Sequence, residues 1–155
     1  MSNRTVEMPA LHLVGLADRF TRDTISRIPA LWEKFIPRLK EIKHRKGWIT
    51  YGACIGTPDK ELEYTAAVEV DEPGPVPEGM VALTLGAGAY ALFTHEGHIR
   101  DIGKTWDAIT HQWMKEEGYI HRDKAHDFER YDERWNPQTG EGPVDIYLPI
   151  ERARR

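Results

Sequence analysis

Residues 71–79 read DEPGPVPEG, and this stretch decides how the rest of the chain is read. Three prolines and two glycines in nine positions remove backbone donors and fix or free φ, so it is a connector and not an element. On either side of it the same order of signals appears. Before it, LHLVGLADRF (11–20) alternates like a strand, and Ile25, Ile28, Trp32, Phe35, Leu39 and Ile42 recur at helical spacing. WITYGACIG (48–56) and LEYTAAVEV (62–70) then read as strands. After it, MVALTLGAGAYALFTHEG (80–97) holds one or two strands, with Gly86 and Gly88 marking a break. Ile102, Trp106, Ile109 and Trp113 follow on one helical face, and DFERYDERW (127–135) and VDIYLPIE (144–151) supply two more strands.

Each half therefore reads β-α-β-β, and each helix is expected to end in glycine followed by an aromatic, Gly47-Trp48 and Gly118-Tyr119. The first helix is predicted over about 25–45, with Pro29 in its first turn and a kink at Pro37. The pattern predicts an α+β fold: a tandem β-α-β-β repeat, about 9–71 and 80–151, in one domain of residues 1–155. Neither half can cover both faces of its own small sheet. The halves should pack as one curved antiparallel sheet with two main helices and a central cleft, a natural ligand position.

Composition narrows the function. The chain has 155 residues, and its net charge of −4 gives no global basic field for nucleic acid or an anionic membrane. The basic tail ERARR is too short to change that. Cys54 is the single cysteine, which excludes an internal disulfide and fits a reducing compartment. No signal peptide is visible, and no apolar run reaches the roughly 18 residues of a spanning helix. A soluble, cytoplasmic protein with no cofactor is expected. His95 with His98, and His121 with His126, do not supply a convergent zinc set, and no metal site is predicted. His95 is expected to end a strand and help cap the following helix. GAGAYA (86–91) lacks nucleotide-binding spacing, and no G-x-S-x-G elbow occurs.

The chemistry concentrates at HDFERYDERW (126–135). Alternation puts Asp127, Glu129 and Tyr131 on one face and Phe128 and Arg130 on the other. Tyr64 and Tyr147 lie on two further strands, so three tyrosines are candidates to gather near one carboxylate. Rings attract a cation through their quadrupole, and a carboxylate among them neutralises it at low dielectric. The same setting raises a carboxyl pKa and suits a general acid or base. The competing reading is an exposed Glu129 paired with a neighbouring cation. On spacing alone Trp32, Trp106 and Trp113 are chiefly core.

YALFTHEG (90–97), the helix carrying Trp106 and Trp113, DFERY (127–131) and DIYLPI (145–150), in this order, resemble the GyrI-like small-molecule-binding domain. This is also the effector-binding domain of AraC- and MerR-type regulators, and the likeness runs from PALHLVGLADRF to IYLPIE. The resemblance implies a central cleft for amphipathic or cationic aromatic small molecules, with Glu129 at its base and Tyr131 beside it. Tyr64 and Trp106 match aromatic positions of the family. With Tyr147 from the strand pattern, these five are the candidate ligand-binding residues. About ten residues precede the first predicted strand, too few for a helix-turn-helix, so no direct nucleic-acid binding is expected. Two alternatives stay open. One is a hydrolase of cyclopropanoid or similar strained electrophiles, with Glu129, Tyr64 and Tyr131 catalytic. The other is a protein-interaction inhibitor of the DNA gyrase inhibitor type.

Overall fold

The computed structural model describes residues 3–153. Arg154 and Arg155 of the basic tail lie outside the described residues. Among the described residues, nine strands form one antiparallel sheet: β1 (Asn3–Met8), β2 (Leu11–Phe20), β3 (Arg45–Gly56), β4 (Leu62–Val70), β5 (Val81–Leu85), β6 (Gly88–His95), β7 (Tyr119–His121), β8 (Asp127–Tyr131) and β9 (Val144–Arg152). Their order is β1-β6-β9-β8-β3-β4-β2-β5, with β7 alongside β9. Exchanging β2 with β6, β3 with β8, β4 with β9 and β5 with β1 turns this order onto itself. That is the topology of a duplicated unit whose pseudo-twofold axis runs between β3 and β8. The stretch after Gly118 completes the match: β7 and β8 pair successive parts of β9, as the two ends of the single irregular strand β3 pair β4.

The helices carry the same internal repeat. A short 3-10 turn, Ile25–Arg27, leads into α1 (Ile28–Phe35), and Ile99–Asp101 leads into α2 (Ile102–Ala108). A π-helical turn, Ile109–Trp113, joins α2 to α3 (Met114–Glu117). α1 packs Leu31 and Phe35 against Tyr64, Ala66 and Val68, while the α2–α3 run packs Ile109 and Met114 against Phe93, Ile146 and Leu148. Both helices thus cover one face of the sheet. The other face curls around a third cluster drawn from both halves, including Leu13, Tyr51 and Leu85 with Tyr90, Phe128 and Tyr147.

Three sequence expectations are corrected. A strand precedes LHLVGLADRF: β1 lies at the sheet edge beside β6, mostly exposed, so its alternation carries little hydrophobic signal. The first helix stops earlier than 45. Pro37 has no N–H for the Glu33 carbonyl, so the chain tightens into a 3-10 helix over Ile36–Glu41 and turns extended at Ile42. Gly47 is consequently not the residue after the helix. It sits inside β3 at φ +135°, in the irregular stretch between Arg45 and Thr50. Gly118, by contrast, ends α3 in the left-handed conformation at φ 73°.

Candidate ligand-binding site

Glu129 stands at the middle of the sheet. Register places it directly across from Gly52 of β3 and Ile146 of β9, in a row that continues to Phe93 on one side and Ala66 on the other. Side chains opposite one another in an antiparallel pair share a face. The carboxylate therefore lies on the helix-covered face, between the two helices, and it is only 6% exposed. An exposed glutamate with a surface partner is excluded.

Three donors reach the carboxylate. The Tyr131 hydroxyl donates to Oε1 at 2.7 Å, the Tyr64 hydroxyl donates to the same oxygen at 3.0 Å, and Trp106 Nε1 donates to Oε2 at 3.0 Å. Trp32 Nε1 donates in turn to the Tyr64 oxygen at 3.1 Å. Trp32 also sets its ring edge-on to Tyr131 at 5.5 Å, and Trp135 does the same at 5.4 Å. Three rings thus hold one carboxylate, and two more, Trp32 and Trp135, back them. Tyr64 can lie flat over β3 because residue 52 is glycine: a Cβ there would overlap the Tyr64 hydroxyl and come within 2.9 Å of Glu129 Oε1.

The electrostatics are unbalanced. Burial pushes the Glu129 carboxyl up from its ordinary value of 4.5, and the bonds from Tyr131, Trp106 and Tyr64, with a smaller pull from nearby His95, act against that. All three donors are neutral, and no ion pair among the described residues includes Glu129. Burial, and then the neighbouring Glu129 charge, hold Tyr64 and Tyr131 well above the ordinary phenol value. These hydroxyls stay protonated and donate.

Four of the five candidate residues, Glu129, Tyr131, Tyr64 and Trp106, meet here. Tyr147 does not. It pairs with Phe128 and stacks on it at 4.5 Å, in the cluster on the opposite face. Trp32 packs against the core beneath α1, as its spacing predicts, and also joins the network through Tyr64. A signal for it was present, since Trp32 and Trp106 are each the fifth residue of a helix opening on isoleucine, IPALW and IGKTW. His95 does end a strand, but it reaches further along the helix than a cap. Its Nε2 donates to the His98 carbonyl at 2.9 Å, and its Nδ1 lies 2.6 Å from Thr105 Oγ1, beside Trp106. His98 supplies the cap, accepting from Arg100 N.

An open cavity of about 440 Å³ lies at one end of the β3–β8 pair, lined by Cys54, Thr57, Pro58, His121, Lys124 and Asp127 among others. Glu129 does not line it. The two are neighbours through the sheet: Cys54 and Asp127 form the adjacent cross-strand pair on the face that carries Gly52 and Glu129. Cys54, His121 and Asp127 do not make a nucleophilic triad. His121 Nε2 bonds Asp127 Oδ1, and Nδ1 bonds the Arg122 carbonyl at 2.7 Å, so both ring nitrogens donate and neither can take a thiol proton. Burial also pushes the Cys54 thiol well up.

Fold and site define a class. The GyrI-like small molecule binding domain matches residues 1–151, and the chain belongs to that family. It is 40% identical over 153 residues to the transcriptional regulator BrlR of Pseudomonas aeruginosa, covering 97% of this chain and 56% of the regulator. The chain thus spans little more than half of that relative's length. A DNA gyrase inhibitor of Erwinia billingiae is 26% identical over 108 residues, 68% of each chain. Among solved structures, SAV2435 bound to tetraphenylphosphonium superposes with a TM-score of 0.78 at 18% identity, over 97% of this chain and 94% of that one. A hydrolase from Listeria innocua shares the fold more loosely, with a TM-score of 0.53 at 15% identity over 96% and 91%. This chain is a small-molecule-binding domain of the GyrI-like kind. No helix among the described residues is long and apolar enough to cross a membrane.

Proposed function

We propose that the chain binds hydrophobic, cationic aromatic compounds, with Glu129 as the counter-charge at the base of the cleft and Trp32, Tyr64, Trp106, Tyr131 and Trp135 as its aromatic walls. The observation that carries this reading is a buried carboxylate held by three neutral donors, with no ion-pair partner among the described residues. An isolated buried charge is expensive, and a lipophilic cation both neutralises it and meets the faces of the surrounding rings. SAV2435, which shares the fold, was solved with a lipophilic aromatic cation bound, and that supports the same class of ligand here.

The hydrolase alternative asks a tyrosine hydroxyl to stabilise developing charge on a substrate oxygen. Here both tyrosine hydroxyls are committed to Glu129 Oε1. That geometry favours receiving a charge over activating water. The test is calorimetry with tetraphenylphosphonium and neutral triphenylphosphine oxide on wild type and Glu129→Gln. The cation should lose about 1.5–3 kcal/mol in the variant, the scale of a charge-assisted bond. The neutral compound should lose much less. Equal losses would reduce Glu129 to a matter of shape.

A further inference from the structure

The cavity at the end of the β3–β8 pair carries a second carboxylate. Asp127 lines it, two residues before Glu129 on the same strand and the same face, which sets the two about 6.6 Å apart along the strand. Asp127 Oδ1 is held by His121, while Oδ2 accepts no hydrogen bond from the described residues. Ile55, Pro58 and Ala125 make part of the lining of this 440 Å³ cavity apolar. We propose that this cavity is a second anchoring site, and that the ligands this chain holds best are short aromatic diamines or diamidines, one cationic end at Glu129 and the other at Asp127 Oδ2.

This rests on Glu129 being the first anchor. His121 gives the second site its particular character. With both nitrogens donating, the imidazole is a cation, and it is an internal competitor for the carboxylate that a ligand ammonium seeks. Lys124 at the cavity wall adds a second positive charge, and Asp123 offsets it. The site is thus nearly neutral before a ligand arrives. It accepts a second hydrogen-bonding cation only when Asp127 is shared or released by His121. A singly charged ligand of the same shape gains nothing there, so the cavity sorts ligands by the number of their charges.

The experiment compares 2,6-bis(aminomethyl)naphthalene with 2-aminomethyl-6-methylnaphthalene by calorimetry on the whole chain. The readout is the affinity ratio of diamine to monoamine. Wild type should prefer the diamine. Asp127→Asn should lower that preference roughly tenfold, as loss of one charge-assisted contact in a partly exposed site does. His121→Gln removes the competing charge and should raise the preference by about threefold or more. Opposite responses cannot come from a general loosening of the loop, which would move both variants the same way. A preference unchanged in Asp127→Asn, or shifts of the same sign in both variants, overturns the proposal. Glu129→Gln separates the two readings. If the monoamine binds that variant as it binds wild type, the first anchor falls and the second with it. If the monoamine is weakened there but Asp127→Asn keeps the diamine preference, the second anchor falls alone.

Discussion

Gly52 lies directly across the β3–β8 pair from Glu129, and the hydroxyl of Tyr64 occupies the volume a side chain at Gly52 would fill. This one absence lets a tyrosine from β4 reach over β3 to a carboxylate on β8. Gly52→Ala should therefore expel Tyr64 from Glu129 or push the strands apart. Overpacking of a tight interior typically costs about 1–3 kcal/mol. Urea unfolding should show a loss in that range, and tetraphenylphosphonium binding should weaken along with it. An alanine variant that keeps both stability and affinity would show that the close approach has no energetic consequence.

The two indoles offer a finer test, because they act on the same carboxylate at different removes. Trp106 donates directly to Glu129 Oε2, whereas Trp32 donates to the Tyr64 oxygen. Removing a donor to the charged form disfavours ionisation, so Trp106→Phe should push the Glu129 carboxyl further up. A bond to a charged group is worth about 1.5 kcal/mol or more, which corresponds to about one pH unit. The pH midpoint for cation binding should move up by roughly that much in Trp106→Phe and by less in Trp32→Phe. A larger shift from Trp32→Phe contradicts the order of the network.

Much of this arrangement is legible in the chain, and what is not has a physical cause. Alternation alone puts Glu129 and Tyr131 on one face of β8 and Phe128 on the other, and DEPGPVPEG marks the join of two like units. Alternation in β9 likewise separates Tyr147 from Ile146. Which of those two faces Glu129 is a matter of register, and a slip of one residue exchanges them. The structure pairs Glu129 with Ile146, so Tyr147 goes to the far side. The network role of Trp32 is legible only by comparing IPALW with IGKTW, for a different reason. A tryptophan on an apolar helical stripe is ordinary core by spacing, and its N–H finds a polar partner only through the Tyr64 oxygen, which tertiary packing supplies. Gly52 did carry a signal, since glycine inside a strand marks close approach, but the sequence does not say of what.

Glu129 also makes stability depend on pH in a defined direction. Its folded carboxyl titrates above the ordinary value of 4.5, so across that window the folded chain binds more protons than the unfolded chain. Stability linked to this group is then greatest below 4.5 and declines as pH rises through the folded value. Other carboxylates act in the opposite direction, so the readout is a difference. Thermal melts of wild type and Glu129→Gln from about pH 4 to 7 should show wild type losing ground to the variant as pH rises. A lipophilic cation should reverse that trend, because it stabilises the ionised carboxylate. Wild-type and variant curves that stay parallel contradict the burial effect.

The last prediction concerns turnover. A general base must reach its water at about 2.6–3.2 Å, and a tyrosine must reach the developing oxyanion at similar range. In this site Tyr131 and Tyr64 already spend their single protons on Glu129 Oε1, at 2.7 and 3.0 Å. Trp106 holds the other oxygen at 3.0 Å. The carboxylate is thus surrounded by donors that would have to leave before it could orient water. Wild type should bind cyclopropanoid or epoxide electrophiles stoichiometrically without accelerating their hydrolysis, as followed by chromatography over many equivalents of substrate. Tyr64→Phe should then change affinity alone. If wild type instead turns these compounds over, and Glu129→Gln slows that by roughly 10²–10⁴ while substrate still binds, the carboxylate is a base and the closed network is only its resting arrangement.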